Sequence, residues 1–180
     1  MANIIPILTV ILTGGELLVK IKEVAEKLIP DVPKELKDKF RYIQARTHFD
    51  NGKYWDAPGG TGPFTQLVFT GCNQDLEPGG VAGGTAFRLS LDAEHYYDFA
   101  LGWTHPSVGA LKASVVEGTQ KAKDAYEAAT PEGNALVSTF VFEGKDKDNN
   151  KAQFKIHISA TPGVQSLYVL KQVEVGKDAV

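Results

Sequence analysis

With one cysteine, Cys72, the chain has no internal disulfide framework, and nothing in it demands an oxidising compartment. Cys72 reads as a residue at the edge of a core rather than a nucleophile. The four histidines, His48, His95, His105 and His157, fall on separate segments with no H-x-x-x-H spacing, so no zinc site is expected. There is no G-x-S-x-G elbow for an activated serine. Gly79-Gly80-Val81-Ala82-Gly83-Gly84 is rich in glycine, but it lacks the lysine of a phosphate-binding loop and opens no helix. Asp146-Lys147-Asp148-Asn149-Asn150 has acidic spacing without the glycine and terminal glutamate of a calcium loop, and reads as a solvated hairpin tip. Charge of one sign is also missing. A formal net charge of −3 argues against a nucleic-acid partner and gives no strong attraction to anionic lipid. Beyond the first stretch no apolar run is long enough to cross a bilayer, and there is no internal repeat. These absences make an enzyme the least supported class, and no cofactor or metal is expected.

What is present begins at the N-terminus. Ile4 to Leu12 is an almost unbroken apolar run, followed by Thr13-Gly14-Gly15 and an amphipathic stretch from Glu16 to Ile29. Leu17, Leu18, Ile21, Val24, Ala25 and Leu28 recur at helical spacing, with Lys20, Glu23 and Lys27 largely on the other face. Thr13 with Glu16 forms a capping-box pattern, and Pro30 with Pro33 stops the helix. No basic residue precedes the apolar run and no small-x-small cleavage site follows it, so it does not read as a signal peptide. Two readings compete. In one, the helix packs on a sheet and Ile4–Leu12 is a buried first strand. In the other, the segment enters a bilayer. The amphipathic part alone reaches about 20 Å, and with Ile4–Leu12 recruited nearly 40 Å, enough to span with tilt.

The remainder is rich in strand signals. Phe40–Phe49 and Tyr54-Trp55 flank Asp50-Asn51-Gly52-Lys53, where Asn-Gly predicts a hairpin. Further strands are expected over Phe64–Cys72, Val81–Leu91, Tyr96–Thr104, Leu111–Glu117, Leu136–Phe142, Gln153–Ser159 and Leu167–Val175. Thr119–Ala129 reads as a second helix. About nine short strands with two helices predict a twisted antiparallel sandwich or barrel. The division expected is an N-terminal helical segment, residues 1–33, on a β-domain, residues 34–180, in one compact unit.

Several strings fall in a familiar order: Asp50–Trp55, Gly79–Gly84, Phe99–Pro106, Lys121–Glu127 and Gln153–Ser159. From Ile7 to Thr161 the chain resembles the actinoporin-like family of pore-forming cytolysins, whose fold is related to that of fungal fruit-body lectins. The resemblance implies a mainly β protein, an antiparallel β-sandwich flanked by two α-helices. It implies a phosphocholine or sphingolipid headgroup site on Thr61, Val81, Thr104, Pro106 and Tyr126, in which an aromatic wall faces the quaternary ammonium. Two departures stand out. The family's aromatic lipid-binding loop is reduced here to Ser107-Val108-Gly109-Ala110, and its tyrosine pair after Tyr-Glu is replaced by Ala129-Thr130-Pro131. Trp103, with Tyr96 and Tyr97, is the candidate for a substitute aromatic site; the alternative, which an apolar strand favours, is that they are core residues.

The leading expectation is a membrane-binding, pore-forming cytolysin that docks on lipid headgroups and self-associates. It would insert Ile7, Leu8, Ile11, Leu12, Leu17, Leu18, Ile21, Val24 and Leu28 as part of an N-terminal helix. The alternative is a lectin-like glycan-binding module without pore formation; a carrier using the barrel interior is a third. The protein is expected to be soluble, released or secreted, and to act at a target-cell membrane.

Overall fold

A computed structural model describes residues 7–12, 40–61, 66–73, 79–91, 95–118, 121–145 and 150–176. The order of elements is β1 (Ile7–Leu12), β2 (Phe40–Asn51), β3 (Lys53–Asp56), β4 (Gln66–Cys72), β5 (Val81–Ser90), β6 (Tyr96–His105), β7 (Lys112–Glu117), α1 (Ala122–Glu127), β8 (Asn134–Val137), β9 (Phe142–Lys145), β10 (Lys151–Thr161) and β11 (Leu167–Glu174). The described chain is mainly β. A seven-stranded sheet runs β3-β4-β1-β11-β10-β8, with β9 also paired to β10; a four-stranded sheet runs β2-β5-β6-β7. All ladders are antiparallel except that between β1 and β4, which is parallel.

Strand periodicity explains the core. Along β6, Tyr97, Phe99, Leu101 and Trp103 alternate with Asp98, Ala100, Gly102 and Thr104, so the large residues share one face. They meet Phe87 of β5 and Val115 of β7. From the other sheet come Leu67 and Phe69 of β4, Ile156 and Ile158 of β10, and Tyr168 and Leu170 of β11, all in one hydrophobic cluster. Each such side chain contributes roughly 1.5–3 kcal/mol on full burial. The Tyr168 phenol, fully buried, donates to the Gly102 carbonyl at 2.6 Å and ties the two sheets through the core.

The small residues of β5 and β6 serve the opposite face. Gly84 pairs with Gly102 and Ala86 with Ala100, and α1 lies on this floor through Ala125. A Cβ on Gly84 would come within 1.9 Å of the Ala122 carbonyl oxygen, and one on Gly102 within 2.1 Å of that of Ala125. The Ser114 hydroxyl donates to the same Ala125 carbonyl. A helix of one and a half turns is marginal alone; close backbone approach is what holds it here.

One side of the core is closed by side chains. Asn134 accepts from the Val115 N–H at 2.7 Å and donates to the Val115 carbonyl at 2.9 Å, so an amide takes the place of a neighbouring strand on the edge of β7. The Glu117 carboxylate accepts from the Thr139 hydroxyl at 2.6 Å and the Thr139 N–H at 3.2 Å.

Four expectations need revision. Asn51-Gly52 does not make a hairpin: β2 pairs with β5 and β3 with β4, so the dipeptide is a corner where the chain passes between sheets. Gly52 sits at φ +90°, and a Cβ there would lie 2.5 Å from the Cys72 carbonyl oxygen. Leu136–Phe142 is not one strand but parts of β8 and β9. Ser138 breaks it, its hydroxyl donating to the Phe140 carbonyl at 2.7 Å and accepting from the Ile156 N–H at 3.1 Å. The second helix is shorter than expected, Ala122–Glu127. Ile7, Leu8, Ile11 and Leu12 lie in a strand rather than in the first turns of a helix, since β1 is inserted between β4 and β11. The amphipathic stretch carrying Leu17, Leu18, Ile21, Val24 and Leu28 lies outside the described residues.

Candidate binding site

A cavity of about 460 Å³ opens where β4, β5 and β6 end, roofed by the turn between β10 and β11. The end of β4 contributes Gly71, Cys72 and Asn73; the start of β5 contributes Gly79, Gly80 and Val81. Trp103, His105, Pro106 and Ser107 come from the end of β6, and Val164, Gln165 and Ser166 from the β10–β11 turn. Four segments from three separate regions of the sequence therefore meet at one end of the core.

Trp103 is the wall. It is 3% exposed, packed edge-on against Phe49 and Phe69 at ring separations of 6.0 and 5.7 Å, so its orientation is fixed by the core. Val81 and His105 are directly paired across β5 and β6, beside it. The Asn73 amide donates to the Gly79 carbonyl, pinning together the two ends of the 73–79 connection. Of the described residues that line the cavity, none carries a carboxylate, ammonium or guanidinium group. Its polar groups are the amides of Asn73 and Gln165, the hydroxyls of Ser107 and Ser166, the His105 imidazole and the Cys72 thiol. Such a lining forms hydrogen bonds in both directions without neutralising a formal charge.

The residues expected to form a headgroup site are divided by strand alternation. Val81, Trp103 and Pro106 line the cavity. Thr104 follows Trp103 on the opposite face of β6, the side on which α1 carries Tyr126. The His48 ring lies 5.5 Å from that of Tyr126, and a hydrogen bond to Asp50, followed by burial, raises the Tyr126 pKa. On this second face the Thr104 hydroxyl and His48 Nε2 are buried without a hydrogen-bond partner. Thr61, at an isolated bridge position after β3, is not among the cavity residues. Tyr96 and Tyr97 do not join Trp103, because they begin the strand that Trp103 nearly ends. Tyr97 is buried in the core and its pKa is pushed up, mainly by burial; Tyr96 lies under the Arg88 guanidinium, 3.7 Å from the ring centroid.

Sequence reading did not single out Asn73, Gln165 or Ser166, and named Ser107 only as part of a reduced loop. The one visible sign of Gln165 and Ser166 is the run Pro162-Gly163-Val164-Gln165-Ser166, an uncharged turn between two strands. Among the described residues no cluster of three or more His, Cys, Asp or Glu is placed to hold a metal, and no helix is long and apolar enough to cross a membrane. Comparison with family models, curated proteins and solved structures gives no match to this chain.

Proposed function

We propose that this chain is a lectin-like binding module, non-catalytic, that takes a neutral saccharide unit in the cavity beside Trp103. The observation that carries the reading is the cavity's chemistry: two amides, two serine hydroxyls and an imidazole beside the buried edge of Trp103, with no formal charge on the described lining. Pockets that orient a small ligand combine an apolar wall with a few convergent polar groups, and sugars present hydroxyls that both donate and accept. A phosphate-bearing headgroup fits less well, since anion recognition favours a guanidinium or ammonium partner. A quaternary ammonium favours an aromatic cage, whereas Trp103 is the one aromatic residue in the described lining. The shared core of the two sheets and the position of α1 support the finer fold reading, an actinoporin-like β-sandwich in which α1 is the second of two flanking helices.

The chain has two tryptophans, and Trp55 is 75% exposed. A Trp55→Phe variant makes Trp103 the sole reporter. Neutral mono- and oligosaccharides are expected to change its emission saturably, and Gln165→Ala to weaken binding about fivefold through one lost hydrogen bond. Saturable response to phosphocholine with none to any neutral sugar would replace this reading with the headgroup one.

The competing reading, a pore-forming cytolysin that self-associates on membranes, is favoured by the apolar run at the N-terminus. It requires Ile7–Leu12 to leave two ladders, with β4 and with β11, before any of it enters lipid.

A further inference from the structure

We propose that the ligand is an oligosaccharide, and that Trp55 forms a second subsite on which the ring beyond the cavity stacks. The inference rests on the saccharide reading and adds the length and course of the sugar chain. Trp55 is 75% exposed, on β3, the strand that ends the seven-stranded sheet. Tyr54 is paired with Gly71 but Asp56 with Thr70, so Trp55 is the extra residue of a β-bulge. Bulges re-aim a side chain and recur beside binding sites. Both neighbours of Trp55 are fixed. The Tyr54 ring packs edge-on against Phe49 and Phe69 at 4.7 and 6.1 Å, and its hydroxyl is hydrogen-bonded to that of Thr85. The Asp56 N–H donates to the Thr70 hydroxyl at 3.1 Å. The indole thus stands on a fixed base with two side-chain torsions to immobilise, which keeps the entropic cost of a contact low.

The same ladder joins Trp55 to the cavity. The partners of Lys53 and Tyr54 are Cys72 and Gly71, both cavity residues. With strands about 4.8 Å apart and a rise of about 3.3 Å per residue, the Trp55 backbone lies roughly 6 Å from that of Gly71. The surroundings of the indole favour a sugar over a protein or a bilayer. Lys53 and Asp56, its exposed neighbours in β3, carry an ammonium and a carboxylate rather than apolar groups. A protein hot spot lies instead at the centre of a desolvated patch, in an interface of about 800 Å² a side. A bilayer would bring the Asp56 carboxylate against headgroup phosphates of like charge. A sugar ring offers a face of C–H groups to the indole and a belt of hydroxyls that donate to a carboxylate and accept from an ammonium. The connection between the cavity residues Asn73 and Gly79 carries Asp75 and Glu77 in the sequence, which favours a neutral chain over an acidic one.

The test titrates the full-length protein calorimetrically with galactose, glucose, mannose and N-acetylglucosamine, and with linear di-, tri- and tetrasaccharides of each. Affinity for the preferred sugar is expected to rise about tenfold from the monosaccharide to the oligosaccharides, through the ring area removed from water at Trp55. Trp55→Ala should abolish that rise, its effect confined to the longer ligands, and Trp55→Tyr, which keeps an aromatic face, should retain most of it. The side chain is exposed, so an unchanged melting temperature confirms that both variants fold. Oligosaccharides that bind no tighter than the monosaccharide, or that bind Trp55→Ala as tightly as the parent, would overturn the second subsite and leave the cavity reading intact. An equal loss for short and long ligands would overturn it too, because Trp55 would then act on the cavity itself. No binding to any of these sugars, at any length, would overturn both.

Discussion

Tyr168 is one of the side chains that join the two sheets by a polar contact. Its ring is fully buried and its hydroxyl is satisfied by the Gly102 carbonyl. Burial raises its pKa above the ordinary tyrosine value, because the phenolate would be desolvated. The sign of the linkage follows. The folded-state pKa exceeds the unfolded one, so the stabilisation is complete below about pH 10 and is lost as pH rises beyond that value. Alkaline unfolding monitored by circular dichroism should therefore begin above about pH 10, with Tyr97, also raised mainly by burial, adding to the slope. Tyr168→Phe is expected to cost about 1–3 kcal/mol at neutral pH, since the Gly102 carbonyl loses its partner in a dry core. The same variant should show a shallower decline above pH 10. A neutral-pH stability equal to the parent's would mean that the hydroxyl contributes nothing beyond its ring.

At the scale of elements, α1 depends on the absence of side chains beneath it. Gly102→Ala places a methyl group 2.1 Å from the Ala125 carbonyl oxygen, a backbone atom that cannot swing aside. We expect a loss of about 1–3 kcal/mol in denaturant unfolding, the ordinary cost of overpacking. Gly59→Ala is the control, because nothing lies within 4 Å of its Cβ; it should be neutral or slightly stabilising. Equal effects at the two sites would show that α1 does not rest on this floor. The same scale shows what the sequence made legible. The alternation in β7 and β11 marked those strands, since period-two patterning is a local property. Asn51-Gly52 marked a sharp bend correctly but not its consequence. Turn chemistry fixes where the chain reverses, whereas the partner strand is chosen by residues thirty or more positions away, in β5. The interruption at Ser138 was hidden because it depends on a hydroxyl substituting for a ladder bond to Ile156, a contact between distant segments. The cavity was partly legible. Val81, Trp103 and Pro106 were named, but Gln165 and Ser166 come from a turn whose composition announces a loop and nothing more.

For the whole molecule, the decisive feature is where the N-terminal strand sits. β1 pairs with β11 from Ile7↔Lys171 to Ile11↔Leu167, and with β4 from Thr9↔Gln66 to Leu12↔Phe69. The β1–β11 ladder joins opposite ends of the chain, so nearly the whole sequence must be in place before it closes, and its loop-closure cost is correspondingly large. Removing residues 1–12 would take an interior strand from the seven-stranded sheet, leaving β4 and β11 with unpaired edges. Truncation would therefore unfold or aggregate the protein and say little about insertion. A reversible lock separates the readings without that defect. Thr9 and Val169 face each other in the antiparallel ladder, where opposed Cα atoms lie about 4.5–5.5 Å apart, within the span of a disulfide. Thr9→Cys with Val169→Cys, in a Cys72→Ser background, should form this bridge on oxidation and raise stability by up to about 4–5 kcal/mol, given the length of chain it closes. If the saccharide reading holds, oxidised and reduced protein bind sugar equally and neither releases dye from vesicles, because the cavity forms at the ends of β4, β5 and β6 with β1 in place. Leakage by the reduced form that oxidation abolishes and reductant restores would instead make release of β1 an obligatory step, and the cytolysin reading would displace the one proposed here.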